Sequence, residues 1–434
     1  MQKTINPHLK PDPNERPPPS DEELQQSATL ARQRSNAVFI GVTGSSAKSS
    51  TTGLLAHILS ALVQVELQIK LNNKRATFDK LSHLPEDAKL VLAELGVSTI
   101  DSYRDTTQVF QPNIAVVTMV RLEHKERLKT VEGIAAEKAE LVIALRKGGL
   151  AVLNADDPLV MGMSRHTNER IVSFGRSKNA DYRVSDLKSN YPNRMSLTIN
   201  YGDKSLPLQT RFVGDHHWLA TAAAVSTALE YGVPEGIVAK QVASFEPLYD
   251  RCGAIETVNG PNFIVDTAKM PGHSIQLAFD VVAKATAPRK RIVLGPVTRQ
   301  DEQGSIYSDL YRSAMMVADQ VVFVGKHFDL ADADQEDIDA GRFFLFETTE
   351  QAADHIRDTA MPGELILVKG NVSLHLERIA LSWRHKVQCW HPACGIRLGC
   401  MDCGRVGFPF DWHQGHKRPG KVRRLLNDLN LYWG

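Results

Sequence analysis

The stretch between residues 37 and 62 constrains the fold more than any other. Ala37-Val38-Phe39-Ile40-Gly41-Val42 is a short apolar run with the length of a buried strand. It ends in Thr43-Gly44-Ser45-Ser46-Ala47-Lys48-Ser49-Ser50-Thr51-Thr52, after which Leu54, Leu55, Ile58, Leu59 and Leu62 recur at helical spacing. Strand, small-residue turn and helix make up the repeating unit of parallel α/β sheets. Such a turn directs backbone N–H groups and a helix N-terminus at one point, which favours an anion. Lys48 supplies a point charge for the outer phosphates of a nucleotide, and the Ser49 hydroxyl is placed to reach Mg2+. The general phosphate-loop pattern has glycine before the lysine, where this chain has Ala47. The segment alone predicts a nucleotide site; the competing reading is a Ser/Thr-rich helix start with a solvated lysine.

Similar punctuation runs down the chain. Leu90 to Leu95, Ile114 to Thr118 and Gly149 to Leu153 read as further strands buried on both faces, with a helix over Val131 to Leu145 between the last two. Alternation around Ser196-Leu197-Thr198-Ile199-Asn200 predicts a hairpin insertion within about residues 178–212. A second series follows Pro247, with strands at Phe263 to Val265, Arg291 to Leu294, Val321 to Val324 and Leu365 to Val368. Helical stretches near Ser274 to Ala283, Ser308 to Val317 and Leu374 to Trp383 alternate with them. The fold class is therefore α/β: a phosphate-loop central domain with a mostly parallel sheet, a smaller Rossmann-like α/β domain, and a small Cys-rich tail. The expected divisions are a Pro-rich flexible arm over 1–35, the central ATP-binding domain over 36–248, the second α/β domain over 249–386, and the tail over 387–434.

A net charge of +1 provides no global attraction for nucleic acid or an anionic membrane. No uninterrupted apolar run approaches the roughly 18 residues of a membrane span, and the first residues lack a secretion pattern, so a cytoplasmic protein without a membrane partner is expected. In that reducing compartment the spacing Cys389-x4-Cys394-x5-Cys400-x2-Cys403 favours a structural zinc site over disulfides, with His391, His413 and His416 nearby. Reduced packing cysteines are the alternative, and Cys252 stands apart as a small packing residue. Arg405, Lys417, Arg418, Lys421, Arg423 and Arg424, beside Phe408, Phe410 and Trp412, form either a solvated basic stretch or a contact for RNA, another polyanion or a protein partner.

Taken together, the motifs resemble the Mur ligase family, which includes the peptidoglycan amino-acid ligases and folylpolyglutamate synthetase. Val42-Thr43-Gly44-Ser45-Ser46-Ala47-Lys48-Ser49-Ser50-Thr51 is similar to the family's phosphate loop. Leu71-Asn72-Asn73, Ala93-Glu94-Leu95-Gly96, Pro112 to Thr118 followed by His124, Glu132 to Glu140 and Val152-Leu153-Asn154-Ala155-Asp156-Asp157 resemble further landmarks in the family's order. Gly214-Asp215-His216-His217, Arg251, Val265 to Pro271, Val293-Leu294-Gly295 and Leu367-Val368-Lys369-Gly370 extend the resemblance over about residues 36–385.

The resemblance implies an ATP-dependent ligase that activates a carboxylate as an acyl phosphate and joins it to an amino acid or other amine, releasing ADP and phosphate. It places Gly44, Ser45, Ser46, Ala47, Lys48, Ser49 and Ser50 on the nucleotide, with Asn154, His216, His217, Arg251, Asp266 and Lys269 around it. Ser49, Glu94 and His124 become Mg2+-side residues, and Lys48, Lys138, His124 and Arg251 catalytic ones, with Lys138 at the position of a lysine that is carbamoylated in many members. Lys269 and Lys369 are the second-domain charges expected nearest the cleft.

The chain also departs from the family at Ala47, Met119, His217, Ala220, Lys269 and Pro296. Because the phosphate loop comes so early in the sequence, the family's UDP-sugar-binding domain, and with it a UDP-muramyl substrate, is not expected. These departures keep open an alternative from another class: a degenerate Mur-like ATP-binding scaffold whose zinc tail recruits a protein or nucleic acid. A protein partner or a homodimer is compatible with either reading.

Overall fold

The computed structural model describes residues 19–96, 100–122, 130–297, 305–326, 331–392, 394–396 and 398–415. The first sheet contains β1 (Val38–Thr43), β2 (Val65–Gln68), β3 (Leu90–Glu94), β4 (Ile114–Val117), β5 (Leu150–Asn154), β6 (Arg170–Gly175), β7 (Tyr182–Asn190), β8 (Asn193–Tyr201) and β9 (Lys204–Gln209). Their order is β2-β3-β1-β4-β5-β6-β7-β8-β9. Ladders are parallel from β2 through β7 and antiparallel from β7 to β9.

Period-two alternation explains why the sheet is covered on both faces. Ile40, Val42, Leu92, Val116 and Val152 face one way and pack with Leu54, Leu55 and Ile58 of the helix Lys48–Leu59 and with Ala222 to Val225 of the helix Trp218–Glu230. Phe39, Val91, Ala93, Ala115, Val117 and Leu153 face the other way, against Ile134, Leu141 and Val142 of the helix Val131–Ile143. The segment expected as a hairpin insertion is antiparallel through β7, β8 and β9, and it extends the first sheet through the β6–β7 ladder. Val184, Leu197, Ile199, Leu206 and Leu208 alternate inward and join the first of these cores.

The second sheet contains β10 (Gly253–Ile255), β11 (Asn262–Asp266), β12 (Lys290–Leu294), β13 (Gln320–Val324), β14 (Phe343–Phe346) and β15 (Leu365–Lys369), in the order β10-β11-β15-β12-β13-β14. Only the β10–β11 ladder is antiparallel. Arg291 on β12 is fully buried, a position tolerable for a guanidinium because Glu364, also fully buried, lies 2.9 Å away.

Two expectations are corrected. Within the stretch 1–35 expected as a flexible arm, Asp21–Arg34 is a helix. Ser20 and Glu23 form a reciprocal capping box at its start, and Leu24 and Ala28 are buried. Arg32 is buried too, donating to the carbonyls of Phe110 at 2.8 Å and Gln111 at 2.8 Å, with its guanidinium over Phe39. Proline density before residue 20 masked a helical stretch whose apolar positions are few. The tail is likewise not an appendage: Cys400 belongs to the core on one face of the second sheet, with Val387, Trp390, Met401 and Val406 packed against it. The arm before residue 19 and the tail's basic stretch from residue 416 lie outside the described residues.

Candidate active site

The parallel register brings the C-terminal ends of four strands together. Thr43 pairs with Val117, Val42 with Glu94 and Val117 with Leu153, so the phosphate loop, the acidic end of β3 and Asn154 share one edge. Chain order reverses on either side of β1, and ligands bind at this kind of switch point in open parallel sheets.

The loop is pinned from below. The Ser45 N–H donates to the Met119 carbonyl at 2.7 Å, and the Thr118 hydroxyl donates to the Ser46 carbonyl at 2.6 Å. Gly44 has φ of 143°, and a Cβ there would meet the Thr118 hydroxyl at 1.9 Å, so only glycine fits. The Lys48 ammonium folds back to the Gly44 carbonyl. Ala47 adopts a left-handed conformation, φ 64° and ψ −2°, and caps the helix Lys48–Leu59 without any side-chain hydrogen bond. The first-turn N–H groups of that helix therefore open toward the loop.

Ala47 thus supports the geometry usually given to glycine. Left-handed backbone costs an alanine about 1–2 kcal/mol, whereas a glycine loosens the unfolded chain by about 0.4–1 kcal/mol. The first term is the larger. Ala47→Gly is expected to stabilise the protein by about 0.5 kcal/mol in urea unfolding; a destabilised variant would show that the methyl group's packing outweighs the strain.

Glu94 is 2% exposed and accepts three hydrogen bonds: from the Ser49 hydroxyl at 2.8 Å, the Lys70 N–H at 3.1 Å and the Asn72 amide at 2.8 Å. Asn73 caps the helix Lys74–Ser82, so the two adjacent asparagines divide between holding Glu94 and starting a helix. Asn154 donates to the Thr118 carbonyl at 2.8 Å and accepts from the Asp156 N–H at 2.9 Å. Asp157 accepts the Val120 N–H at 2.8 Å and caps the next helix.

Across the edge lies a cavity of about 440 Å3. Ser45 to Ser50, Glu94 and Asn154 line it from the first sheet, and Arg251, Asp266, Lys269 and Lys369 line it from the second. His216 and His217 lie between these two sets. Lys369 is fully buried and committed within its own sheet: its ammonium donates to Asp266 at 2.6 Å, the Lys269 carbonyl at 3.1 Å and the Ser274 hydroxyl at 3.0 Å. Of the expected catalytic residues, Lys48 and Arg251 line the cavity. Lys138 is 2% exposed on the helix Val131–Ile143 and does not line it, and His124 lies outside the described residues. Arg121, Asp156, Arg176, Trp218 and His273 line the cavity without having been singled out as site residues. Asp156 stood inside a recognised motif. The two arginines follow strand ends and carry no local signal.

The histidine pair has its own electrostatics. His217 is 5% exposed and stacks on Phe212 at 4.4 Å and against His216 at 4.2 Å. Burial pushes the imidazole of His216 down and that of His217 well down, and the neighbouring His216 adds to the effect at His217. In the unfolded chain both rings would protonate near their ordinary value of about 6.5. Below that pH the unfolded state binds more protons, so stability present above about pH 6.5 is lost as the pH falls toward the folded-state values. Melting temperature is expected to drop between about pH 7.5 and about pH 5.5, and His217→Gln should flatten the dependence. An unchanged slope in that variant would remove His217 as its source.

The cleft fits a magnesium nucleotide. Ser49 and Glu94 present hard oxygens beside Lys48, and the uncapped helix start faces the same space. Family comparisons agree: residues 42–228 match the Mur ligase middle domain and residues 250–372 match the Mur ligase glutamate ligase domain. The chain belongs to the Mur ligase family. As a Mur ligase it is an ATP-dependent carbon–nitrogen ligase, and the degenerate-scaffold alternative is not favoured.

Among relatives, this Mur ligase is 23% identical over 364 residues to the UDP-N-acetylmuramoyl-tripeptide–D-alanyl-D-alanine ligase of Bacillus subtilis, covering 82% of this chain and 78% of that one. It is 30% identical over 261 residues to the UDP-N-acetylmuramoylalanine–D-glutamate ligase of Petrotoga mobilis, 59% of this chain and 55% of that one. A crystal structure of MurF from Acinetobacter baumannii superposes with a TM-score of 0.76 at 22% identity, covering 84% of this chain and 80% of that chain. MurF from Thermotoga maritima in complex with ADP superposes with a TM-score of 0.71 at 20% identity, covering 86% of each chain. These likenesses fix the fold. No helix among the described residues is long and apolar enough to cross a membrane.

Proposed function

We propose that this Mur ligase binds MgATP on the loop Gly44 to Ser50, activates a carboxylate there, and passes the acyl group to an amine held from the second sheet. The observation that carries this reading is the 2.8 Å hydrogen bond from Ser49 to Glu94, which joins the phosphate loop to a buried carboxylate at the mouth of a cavity shared by both sheets. When bound, MgATP supplies the γ-phosphoryl group that a carboxylate oxygen attacks as ADP leaves; the amine nitrogen then displaces phosphate and loses a proton.

The chain's own residues hold and orient. Backbone N–H groups at the helix start and the Lys48 ammonium counter the charge that builds on the transferred group. Ser49 and Glu94 hold the magnesium side, and Asn72 and the Lys70 N–H keep the Glu94 carboxylate turned toward it. Arg251, entering from the second sheet's side, neutralises phosphate or carboxylate oxygens. Asn154, His216 and His217 are assigned to the nucleotide's far side. Burial keeps the two imidazoles neutral, which suits a base better than a phosphate.

Asp266 and Lys269 are placed at the amine side, where Lys369 orients Asp266 without facing substrate as a free cation. Lys138 is assigned no step. The relatives' names couple UDP-N-acetylmuramate to L-alanine, UDP-N-acetylmuramoylalanine to D-glutamate and UDP-N-acetylmuramoyl-tripeptide to D-alanyl-D-alanine, and a carboxylate joined to an amino acid or short peptide is the reaction class inferred here. For the tail, Cys389, Cys394, Cys400 and Cys403 are inferred to serve a structural zinc site.

The test is ADP release by the purified chain with MgATP, a panel of carboxylates, and amino acids or dipeptides, together with mass spectrometry of the product. Release that requires both a carboxylate and an amine supports the reading. Nucleotide turnover indifferent to the amine would sink it.

A further inference from the structure

The tail's sulfurs meet a histidine and a carboxylate that cysteine spacing did not reveal. His375 Nε2 lies 3.0 Å from Cys394 Sγ, and His375 Nδ1 lies 3.2 Å from Glu377 Oε1. Ligand atoms of His375, Glu377 and Cys400 all fall within 4.8 Å of one another. The surroundings suit a thiolate-preferring ion. His375, Glu377 and Cys400 are buried, Arg378 directs Nε at Cys400 Sγ from 3.1 Å, and the second oxygen of Glu377 has no hydrogen-bond partner among the described residues. A carboxylate behind an imidazole is the arrangement that orients a histidine toward a metal through its other nitrogen. The group at this spacing sets a histidine and a carboxylate beside one of the tail's sulfurs, so His375 joins the four cysteines as a candidate ligand.

The same short helix, Cys400–Cys403, reaches the phosphate-loop side of the cleft. Asp402 pairs with the Lys70 ammonium at 2.7 Å, and the Lys70 backbone N–H holds Glu94. Lys70 itself has a left-handed φ of 66°, a conformation that needs external support in a lysine. Asp250 lies 3.4 Å from the same ammonium, and the Tyr249 ring lies 5.3 Å away. At Gly399, just before the helix, a Cβ would fall 1.8 Å from the Tyr249 hydroxyl, so the tail is seated tightly on the junction between the two sheets.

We propose that the tail is a metal-loaded latch: a zinc-type ion held by His375, Cys394 and Cys400, completed by Cys389 or Cys403, seats Asp402 on Lys70 and so keeps Glu94 in place. Glu377 is a positioning residue in this site. The latch rests on reading the tail as a metal site, and its test does not depend on the ligase reaction.

The full chain is stripped with a zinc-selective chelator, reloaded with Zn2+ or Co2+ alone, and followed by metal content, the Co2+ absorption spectrum and amide hydrogen exchange without nucleotide. Stoichiometric zinc and a tetrahedral, sulfur-ligated Co2+ spectrum are expected, with loss of metal in His375→Gln and Cys394→Ser. Glu377→Gln should weaken zinc about 10- to 100-fold. Zinc removal should accelerate exchange across residues 68–72, and Asp402→Asn should do so about two- to fivefold while retaining zinc. Absence of stoichiometric zinc, or full retention in both ligand variants, overturns the site; Asp402→Asn exchange equal to wild type overturns the latch. A wild-type chain that loads zinc but binds no ADP would instead sink the ligase reading and leave the latch standing.

Discussion

Lys48→Ala is expected to lower amine-dependent ADP release by about 100- to 1,000-fold, the range associated with removing one preorganised charge or donor from a transfer site. Two things place the effect in the chemistry. Lys48 is the cation on the phosphate loop itself, and the N–H groups around it are fixed by the Ser45–Met119 and Thr118–Ser46 hydrogen bonds, so the cradle survives its loss. The side chain's own contact is with the Gly44 carbonyl at the loop's edge rather than with a core residue. Thermal stability should therefore stay within about 1 kcal/mol of wild type. Steady-state ADP release and a thermal melt on the same preparation check both statements. Wild-type turnover in a folded variant would remove the phosphate assignment on which the reaction rests.

Glu94→Gln is expected to be nearly as severe in activity, with a different signature. The carboxylate receives Ser49, the Lys70 N–H and the Asn72 amide at once. An amide of the same size keeps one acceptor and turns a donor toward groups that are themselves donors. The variant should lose about 1–3 kcal/mol of stability from the unsatisfied buried groups. Turnover should fall about 100-fold, with a magnesium requirement shifted upward, because an anionic hard-oxygen ligand has been neutralised. Magnesium titration of ADP release, beside urea unfolding, separates the two effects. An unshifted magnesium requirement would reassign Glu94 from the metal to the support of its loop.

The legible part of the site was the part carried by local pattern. Largely apolar runs of three to six residues announced β1, β3, β4, β5, β11, β12, β13 and β15, because strands buried on both faces leave no polar alternation to confuse them. The edge strand β14 is the apolar run Phe343 to Phe346 and is missing from the expected strands although its pattern was legible, whereas the edge strand β2, Val65-Glu66-Leu67-Gln68 with Leu67 exposed, carries no such run. The helix Asp21–Arg34 was hidden for a related reason: it buries only Leu24, Ala28 and Arg32, too few positions to announce a period, and one of them is charged. At the site, Lys48, Ser49 and Glu94 stood inside recognisable turns and strand ends, whereas Arg121 and Arg176 owe their place to register alone. Lys138 shows the converse. Its neighbours match a known pattern, yet it is 2% exposed on its helix and is not among the residues lining the cavity.

Local chemistry in the sequence determined a parallel α/β scaffold with an anion-binding turn, because hydrophobic period and turn composition act over a few residues. Tertiary structure alone decided what faces that turn. It set Glu94 against Ser49 across 45 positions of chain and Asp402 against Lys70 across 332, and it put His375 and Glu377 beside Cys400 of the tail. Contacts of that span arise from strand order and the seating of one sheet on another, which no neighbouring residue encodes.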